Sequence, residues 1–157
     1  MADRVVPFRI LLAEDEQTFR EDMKAALQKH GYDVVAVSSG KEAIARLETE
    51  EFHLLISDIR MPPPDGIELL RWVKRERSGV EVLILTGQRE LLENPRSARD
   101  AIREGAFDYL SKPVSSFDLL IKVERVRERW DLLAERERLR RWASRVSGDD
   151  LEEGRFE

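Results

Sequence analysis

"LLISDIRMPPPDG", residues 54–66, carries an apolar run straight into a carboxylate, Asp58, and follows it with Arg60, three consecutive prolines and Gly66. A strand end has no need of an acid. Asp58 is therefore either a cap for the next turn or a chemical group held at a fixed point. The prolines, whose rings lock φ, stiffen the segment in either case. "DGIE" (65–68) then places Asp65 as a helix cap with Glu68 three residues on, and Leu69, Leu70 and Val73 turn inward along the helix that follows.

The same unit recurs on both sides. "PFRILLA" (7–13) is an apolar run ending at Glu14 and Asp15. A helix follows with Phe19, Met23, Ala26 and Leu27 on one face and Gly31 as its stop. "DVVAVSS" is a second strand, and "SGKE" (39–42) reads as a capping box before Ala43, Ile44 and Leu47. "VEVLILT" (80–86) is continuously apolar, as a strand covered on both faces should be. "NPRSARDAIREG" sets Asn94 as N-cap, Pro95 at the first helical position and Gly105 as stop. "AFDYLSKP" is a fifth strand, and "SSFDLL" opens a last helix. Strand then helix, five times over, predicts an α/β fold: a parallel sheet with helices on both faces and right-handed connections. Ligands in such sheets sit beyond the carboxyl ends of the strands. Glu14, Asp15, Asp58, Thr86 and Lys112 all fall at such ends.

The chain has 157 residues, enough for one domain with an extension. Its charged share, 38%, is well above the usual quarter and calls for a long solvated helix. That helix is legible in "LLIKVERVRERWDLLAERERLRRWASRV" (119–146), which has neither Gly nor Pro. Leu119, Val123, Val126, Trp130 and Leu133 form one seam; Leu132, Leu139, Trp142 and Val146 continue it, shifted by one position. The seam suits a coiled coil or a connector to an output domain. The helix arginines alternate with acids, so a solvated face is expected rather than a nucleic-acid one. Residues 147–157 are expected to be a disordered tail. The net charge of −5 argues against broad nucleic-acid binding. With no cysteine there is no disulfide and no thiolate metal site. No run reaches transmembrane length and the start does not resemble a secretory signal, so a soluble cytoplasmic protein is expected.

If the first and third strands are neighbours, Glu14, Asp15 and Asp58 converge. Three close carboxylates repel unless a cation sits among them. An all-oxygen set of this kind suits Mg²⁺. Thr86 and Lys112 add a hydroxyl and an ammonium, which make sense if a phosphoryl group arrives there. An Asp carboxylate is a nucleophile toward phosphorus. Taken singly, each residue has an ordinary explanation: a turn aspartate, a pair of first-turn acids, a strand-end threonine, a solvated lysine, a core tyrosine. All of them at one edge of one sheet would require a run of coincidences. His30 and His53 read as structural.

These residues carry a resemblance. "LLAEDE", "LLISDIRMPPPDG", "LILTG" and "GAFDYLSKP" together resemble the receiver domain of bacterial two-component response regulators, over about residues 6–125. The resemblance implies a flavodoxin-like (βα)5 doubly wound sheet of strand order 2-1-3-4-5, a receiver over 1–125 and the extended helix over 126–146. It implies that Asp58 is the phosphoacceptor and that Asp15, Asp58 and the backbone carbonyl of Arg60 ligate Mg²⁺, with Glu14 acting through a metal-bound water. Thr86 and Lys112 would hold the phosphoryl group, Tyr109 would be the aromatic switch, and Lys112–Pro113 would be cis. The donor would be a histidine kinase or phosphotransfer protein. Such a domain is a signalling acceptor that assists its own phosphorylation and dephosphorylation, not an enzyme acting on other substrates. The face of the fourth helix, fifth strand and fifth helix would then control homodimerisation or the binding of a downstream protein or output domain, with no membrane and no direct nucleic-acid contact.

Two departures from the family pattern stand out. The acidic pair is Glu-Asp where Asp-Asp is commoner, and the stretch between Thr86 and Lys112 is about four residues longer than usual, the excess falling in the "GQRELLEN" loop (87–94). That loop is expected to be a partner surface, a lid, or a neutral insertion. Three other readings stay open: a pseudo-receiver docking module, a receiver-plus-linker fragment of a larger transcriptional regulator, and an aspartyl-nucleophile phosphatase. The last would need a D-x-D after the first strand, where this chain reads Asp15-Glu16-Gln17.

Overall fold

The structure, a computed structural model, describes residues 7–152. Among these residues five strands and six helices alternate, except that two helices follow the fourth strand: β1 (Arg9–Ala13), α1 (Gln17–Lys29), β2 (Asp33–Val37), α2 (Gly40–Thr49), β3 (Leu54–Asp58), α3 (Gly66–Glu76), β4 (Glu81–Gly87), α4 (Gln88–Glu93), α5 (Arg96–Arg103), β5 (Asp108–Lys112) and α6 (Ser116–Glu152). The strands form one sheet of order β2-β1-β3-β4-β5, every pair parallel. This is the doubly wound order expected.

Alternation along each strand sends neighbours to opposite faces, and both faces are covered. Leu11, Leu55, Val82 and Ile84 pack with Leu47, Leu69, Val73 and Ala101 from α2, α3 and α5. Ile10, Leu12, Leu54, Ile56, Leu83 and Leu85 pack on the other side with Met23 and Leu27 of α1 and Leu119, Val123 and Val126 of α6. That double burial is why the central strands are apolar without interruption. Each of these leucines and isoleucines contributes roughly 1.5–3 kcal/mol on leaving water.

Local chemistry sets the ends of the helices. Ser39 and Asp65 accept from the backbone N–H groups of Glu42 and Glu68. The return bond of the first box is displaced by one residue: the Glu42 carboxylate accepts from the N–H of Ser38 at 3.0 Å, not from Ser39. Gly31 and Gly105 follow α1 and α5 with φ of 87° and 107°, a region open to glycine.

Three expectations are corrected. The 87–94 stretch is not a loop but contains the short helix α4, so the expected fourth and fifth helices are α5 and α6. Asn94 does not cap α5. It closes α4, donating its N–H to the Glu90 carbonyl at 2.8 Å, and Pro95 becomes the residue preceding α5. The last helix runs on to Glu152, through the first part of the segment expected to be a disordered tail, while 153–157 lie outside the described residues. Nothing in 147–152 breaks a helix except Gly148, which costs only about 1 kcal/mol. Among the described residues, no helix is long and apolar enough to cross a membrane.

The root of α6 is anchored beyond the expected boundary at 125. Trp130 meets the His53 ring edge to face, centroids 4.6 Å apart, and His53 stacks on Phe8 at 4.9 Å. Nδ1 of His53 accepts the Arg9 N–H at 3.0 Å, so the neutral ring is the structural one. Burial, helped by the nearby Arg9 charge, holds the His53 pKa below its ordinary 6.5. A depressed histidine pKa means that the unfolded chain takes up the proton first, so its stabilising contribution is present above pH 6.5 and is lost as pH falls through the folded pKa. In urea unfolding between about pH 7.5 and pH 5, His53→Phe is expected to be the less stable protein because the Arg9 N–H loses its acceptor, and the gap between wild type and variant is expected to narrow toward acid, the other titrating groups being common to both.

Candidate functional site

The parallel register brings the carboxyl ends of the central strands level. Ala13 lies opposite Ser57, Asp58 opposite Leu85, Thr86 opposite Ser111 and Gly87 opposite Lys112. One residue further along β1 is Glu14, so the acids of β1 and β3, the hydroxyl of β4 and the ammonium of β5 meet at one rim. Glu14, Asp15 and Asp58 each offer an oxygen, and these oxygens lie within 4.8 Å of one another.

Lys112 ties this rim together. Its Nζ lies 2.7 Å from Oδ2 of Asp58 and 2.9 Å from Oε2 of Glu14. It also rides over the Phe19 ring at 4.7 Å, a contact that the placement of Phe19 in the helical core stripe did not foretell. The Lys112–Pro113 bond is cis, as expected. Asp58 is largely buried, and its Oδ1 accepts the Arg60 N–H at 3.2 Å. Glu14 is wholly buried; its Oε1 accepts the Glu16 N–H, and its Oε2, off hydrogen-bond geometry, has Lys112 as its close partner. Burial pushes the Glu14 carboxyl up to about 7, with the neighbouring Asp58 charge adding to the rise and Lys112 opposing it. Burial also works against the Lys112 ammonium, but its contacts with Asp58 and Glu14 outweigh burial and raise its pKa above the ordinary lysine value.

Thr86 is wholly buried beside this group. Tyr109 lies apart from it, 38% exposed, lining a surface hollow with Leu91, Pro95 and Arg99. Asp58, Arg60, Gly87, Glu90 and Lys112 line a cavity of about 400 Å³, open to solvent on one side. One member of that wall went unnoticed in the sequence. Glu90 is buried inside α4, accepts a hydrogen bond from Ser97 Oγ at 3.0 Å and pairs with the guanidinium of Arg60. A carboxylate in a charged, variable loop gives no sign that it will be buried.

A hard divalent cation fits these donors. Three carboxylates converge, no nitrogen or sulfur ligand lies among them, and one carboxylate oxygen is buried with no hydrogen bond.

Comparison with known proteins agrees with this fold. The profile of the family described as response regulator receiver domain matches residues 10–124. The chain is 40% identical over 118 residues to the response regulator receiver protein CpdR of Brucella abortus, covering 75% of this chain and 95% of CpdR. It is 39% identical over 125 residues to the transcriptional regulatory protein PdtaR of Mycobacterium tuberculosis, covering 78% of this chain; the chain spans only 58% of the length of PdtaR. Among solved structures, a response regulator receiver domain protein from Clostridium thermocellum superposes with a TM-score of 0.72 at 35% identity, over 80% of this chain and 98% of that one.

The backbone behind Asp58 depends on Gly66. A Cβ at residue 66 would sit 2.2 Å from the Asp58 carbonyl oxygen and 2.7 Å from Ile59 Cα, both backbone atoms with nowhere to go. At Gly79 nothing lies within 4 Å. Gly66→Ala is expected to lower stability in urea unfolding by about 3 kcal/mol, and Gly79→Ala by no more than about 0.5 kcal/mol.

Proposed function

The chain belongs to the response regulator receiver domain family of two-component systems, and on that premise we propose that Asp58 accepts a phosphoryl group from a phosphohistidine on a kinase or phosphotransfer protein. The observation that carries this reading is the Asp58 carboxylate, fixed at the rim of β3 by Arg60 N–H on one oxygen and Lys112 Nζ on the other.

In the transfer, an Asp58 oxygen attacks phosphorus. The bond between phosphorus and the donor imidazole nitrogen breaks, and its electron pair leaves with the imidazole, which takes up a proton from water. A second water later attacks the acyl phosphate and restores the carboxylate. Positioning and charge neutralisation do most of this work. Lys112, tethered between two carboxylates at a strand end, is within reach of a phosphoryl oxygen on Asp58. Thr86, on the neighbouring strand, supplies a hydroxyl for another oxygen. Glu14 and Thr86, wholly buried, close the inner side of the rim, so water reaches the acyl phosphate from the cavity alone. Asp15, Asp58 and the Arg60 carbonyl would hold Mg²⁺, with Glu14 acting through a bound water. When bound, the ion neutralises charge on the phosphoryl oxygens.

The proposed output is a two-state shift in which Thr86 turns toward the phosphoryl group and Tyr109 moves in from the surface, reshaping the face of α5, β5 and α6. Beyond Trp130, α6 leaves Leu132, Leu139 and Trp142 exposed at 71%, 56% and 61%. That stripe favours dimerisation, or coupling to a further domain, as the readout. The cytoplasm, where histidine kinases present their phosphohistidine, is the proposed location.

Intact mass after incubation with acetyl phosphate and Mg²⁺ is expected to show a single phosphoryl adduct, absent in Asp58→Ala. Light scattering of the same samples is expected to show the dimer fraction rising with the adduct. No adduct under any donor would leave a docking module that is not phosphorylated in use.

A further inference from the structure

The short helix α4 is anchored in an unusual way. Of its six residues only Glu90 is buried. Leu91 is half-buried and Leu92 is 80% exposed, so no apolar side chain is fully buried to hold the helix down. Its anchor is a carboxylate. Glu90 Oε1 is satisfied by the Ser97 hydroxyl. Its Oε2 has no hydrogen bond and faces the Arg60 guanidinium instead. Arg60 belongs to the segment after β3, two residues beyond Asp58, and its side chain is 74% exposed. It therefore reaches across from the acceptor segment to the inserted helix, along a wall of the cavity that Asp58 and Lys112 also line.

We infer that Glu90 is a positioning residue that latches α4 over the acceptor cavity through Arg60, and that a phosphoryl group on Asp58 opens the latch by taking Arg60 away. The inference rests on Asp58 being the phosphoacceptor.

Phosphoryl oxygens offer a guanidinium a doubly charged, bidentate partner in place of a single carboxylate oxygen. Arg60 is mostly in solvent, so swinging toward Asp58 disturbs no packing. Glu90 cannot be left behind. A buried carboxylate stripped of its cation is strongly unfavourable, and one hydroxyl from Ser97 does not replace a charge. With only the half-buried Leu91 to oppose it, α4 follows Glu90 into water. Ser97 lies in the first turn of α5, so release of Glu90 also frees the start of that helix. Phosphorylation is thereby coupled to α5 by a route that uses neither Thr86 nor Tyr109.

Hydrogen–deuterium exchange of the 88–97 segment, in the full chain with Mg²⁺ and with or without excess acetyl phosphate, tests the latch, with intact mass read on the same samples. In the wild type, exchange over 88–93 is expected to quicken by about tenfold or more once the adduct forms. In Arg60→Met and Glu90→Gln it is expected to be fast before donor is added and to change less than about twofold afterwards. Arg60→Met alters an exposed side chain and keeps the fold if Glu90→Gln does not. An adduct without any change at 88–93 in the wild type overturns the latch alone, even if Glu90→Gln loosens α4, because a merely structural Glu90 would not respond to phosphorylation. Wild-type protection retained in Arg60→Met also overturns it. No adduct in the wild type overturns the phosphoacceptor reading and the latch with it.

Discussion

One ammonium between two carboxylates organises this molecule. Lys112 at the end of β5 reaches Asp58 on β3 and Glu14 beyond β1, and so ties together strands that are not all neighbours in the sheet. Without that cation, two acids would sit unpaired in a buried rim, a strongly unfavourable arrangement. The parallel register does the rest, because it brings the ends of β1, β3, β4 and β5 level within a residue. The sheet is a frame for aiming polar groups, and its dry, branched interior keeps the aim. The cluster is electrostatically costly even so, as the rise of the Glu14 pKa to about 7 records. A chain keeps such a cluster when it uses it, and the proposed use is to receive a phosphoryl group.

The two ends of the sheet do different work. The carboxyl end carries the reactive cluster and the loops around it. The opposite end is where α6 is pinned, by Trp130 against His53 and by the chain of contacts from His53 to Phe8 and Arg9. The first four turns of α6, through Trp130, pack on the receiver core; beyond them Leu132, Leu139 and Trp142 stand in the open. A change on the α5, β5 and α6 face would meet a helix with neither proline nor glycine to kink it between Ser116 and Ser147.

The inserted α4 adds a second wall to the site. Its geometry differs from the rest of the fold in kind. Elsewhere helices are held by buried apolar side chains in a double-sided core; α4 is held by Glu90, Ser97 and Arg60. Apolar anchors respond weakly to a new charge nearby, whereas an ion pair responds directly, so the helix held by an ion pair is the one best placed to sense the state of Asp58.

The strand–helix order, the apolar runs, the caps at Ser39 and Asp65 and the glycine stops at Gly31 and Gly105 were all legible in the chain, because each is a local property: side-chain period, a hydroxyl or carboxylate beside free N–H groups, a backbone free to take positive φ. The convergence of Glu14, Asp15, Asp58, Thr86 and Lys112 was legible too, since parallel topology forces strand ends to one side. What the chain alone did not reveal depended on distant partners. The 87–94 stretch looked like a loop because six residues with no apolar face carry no helical period. Asn94 looked like the cap of the following helix because nothing nearby showed that its N–H already closed another. Glu90 looked solvated until Arg60 and Ser97, thirty residues before it and seven after it, were seen to surround it. By itself the sequence determined which groups would stand at the sheet's rim, because patterning and caps act within a few residues. Only the tertiary structure decided which of those charges pair and which are buried, because pairing and burial are set by neighbours the chain brings from elsewhere.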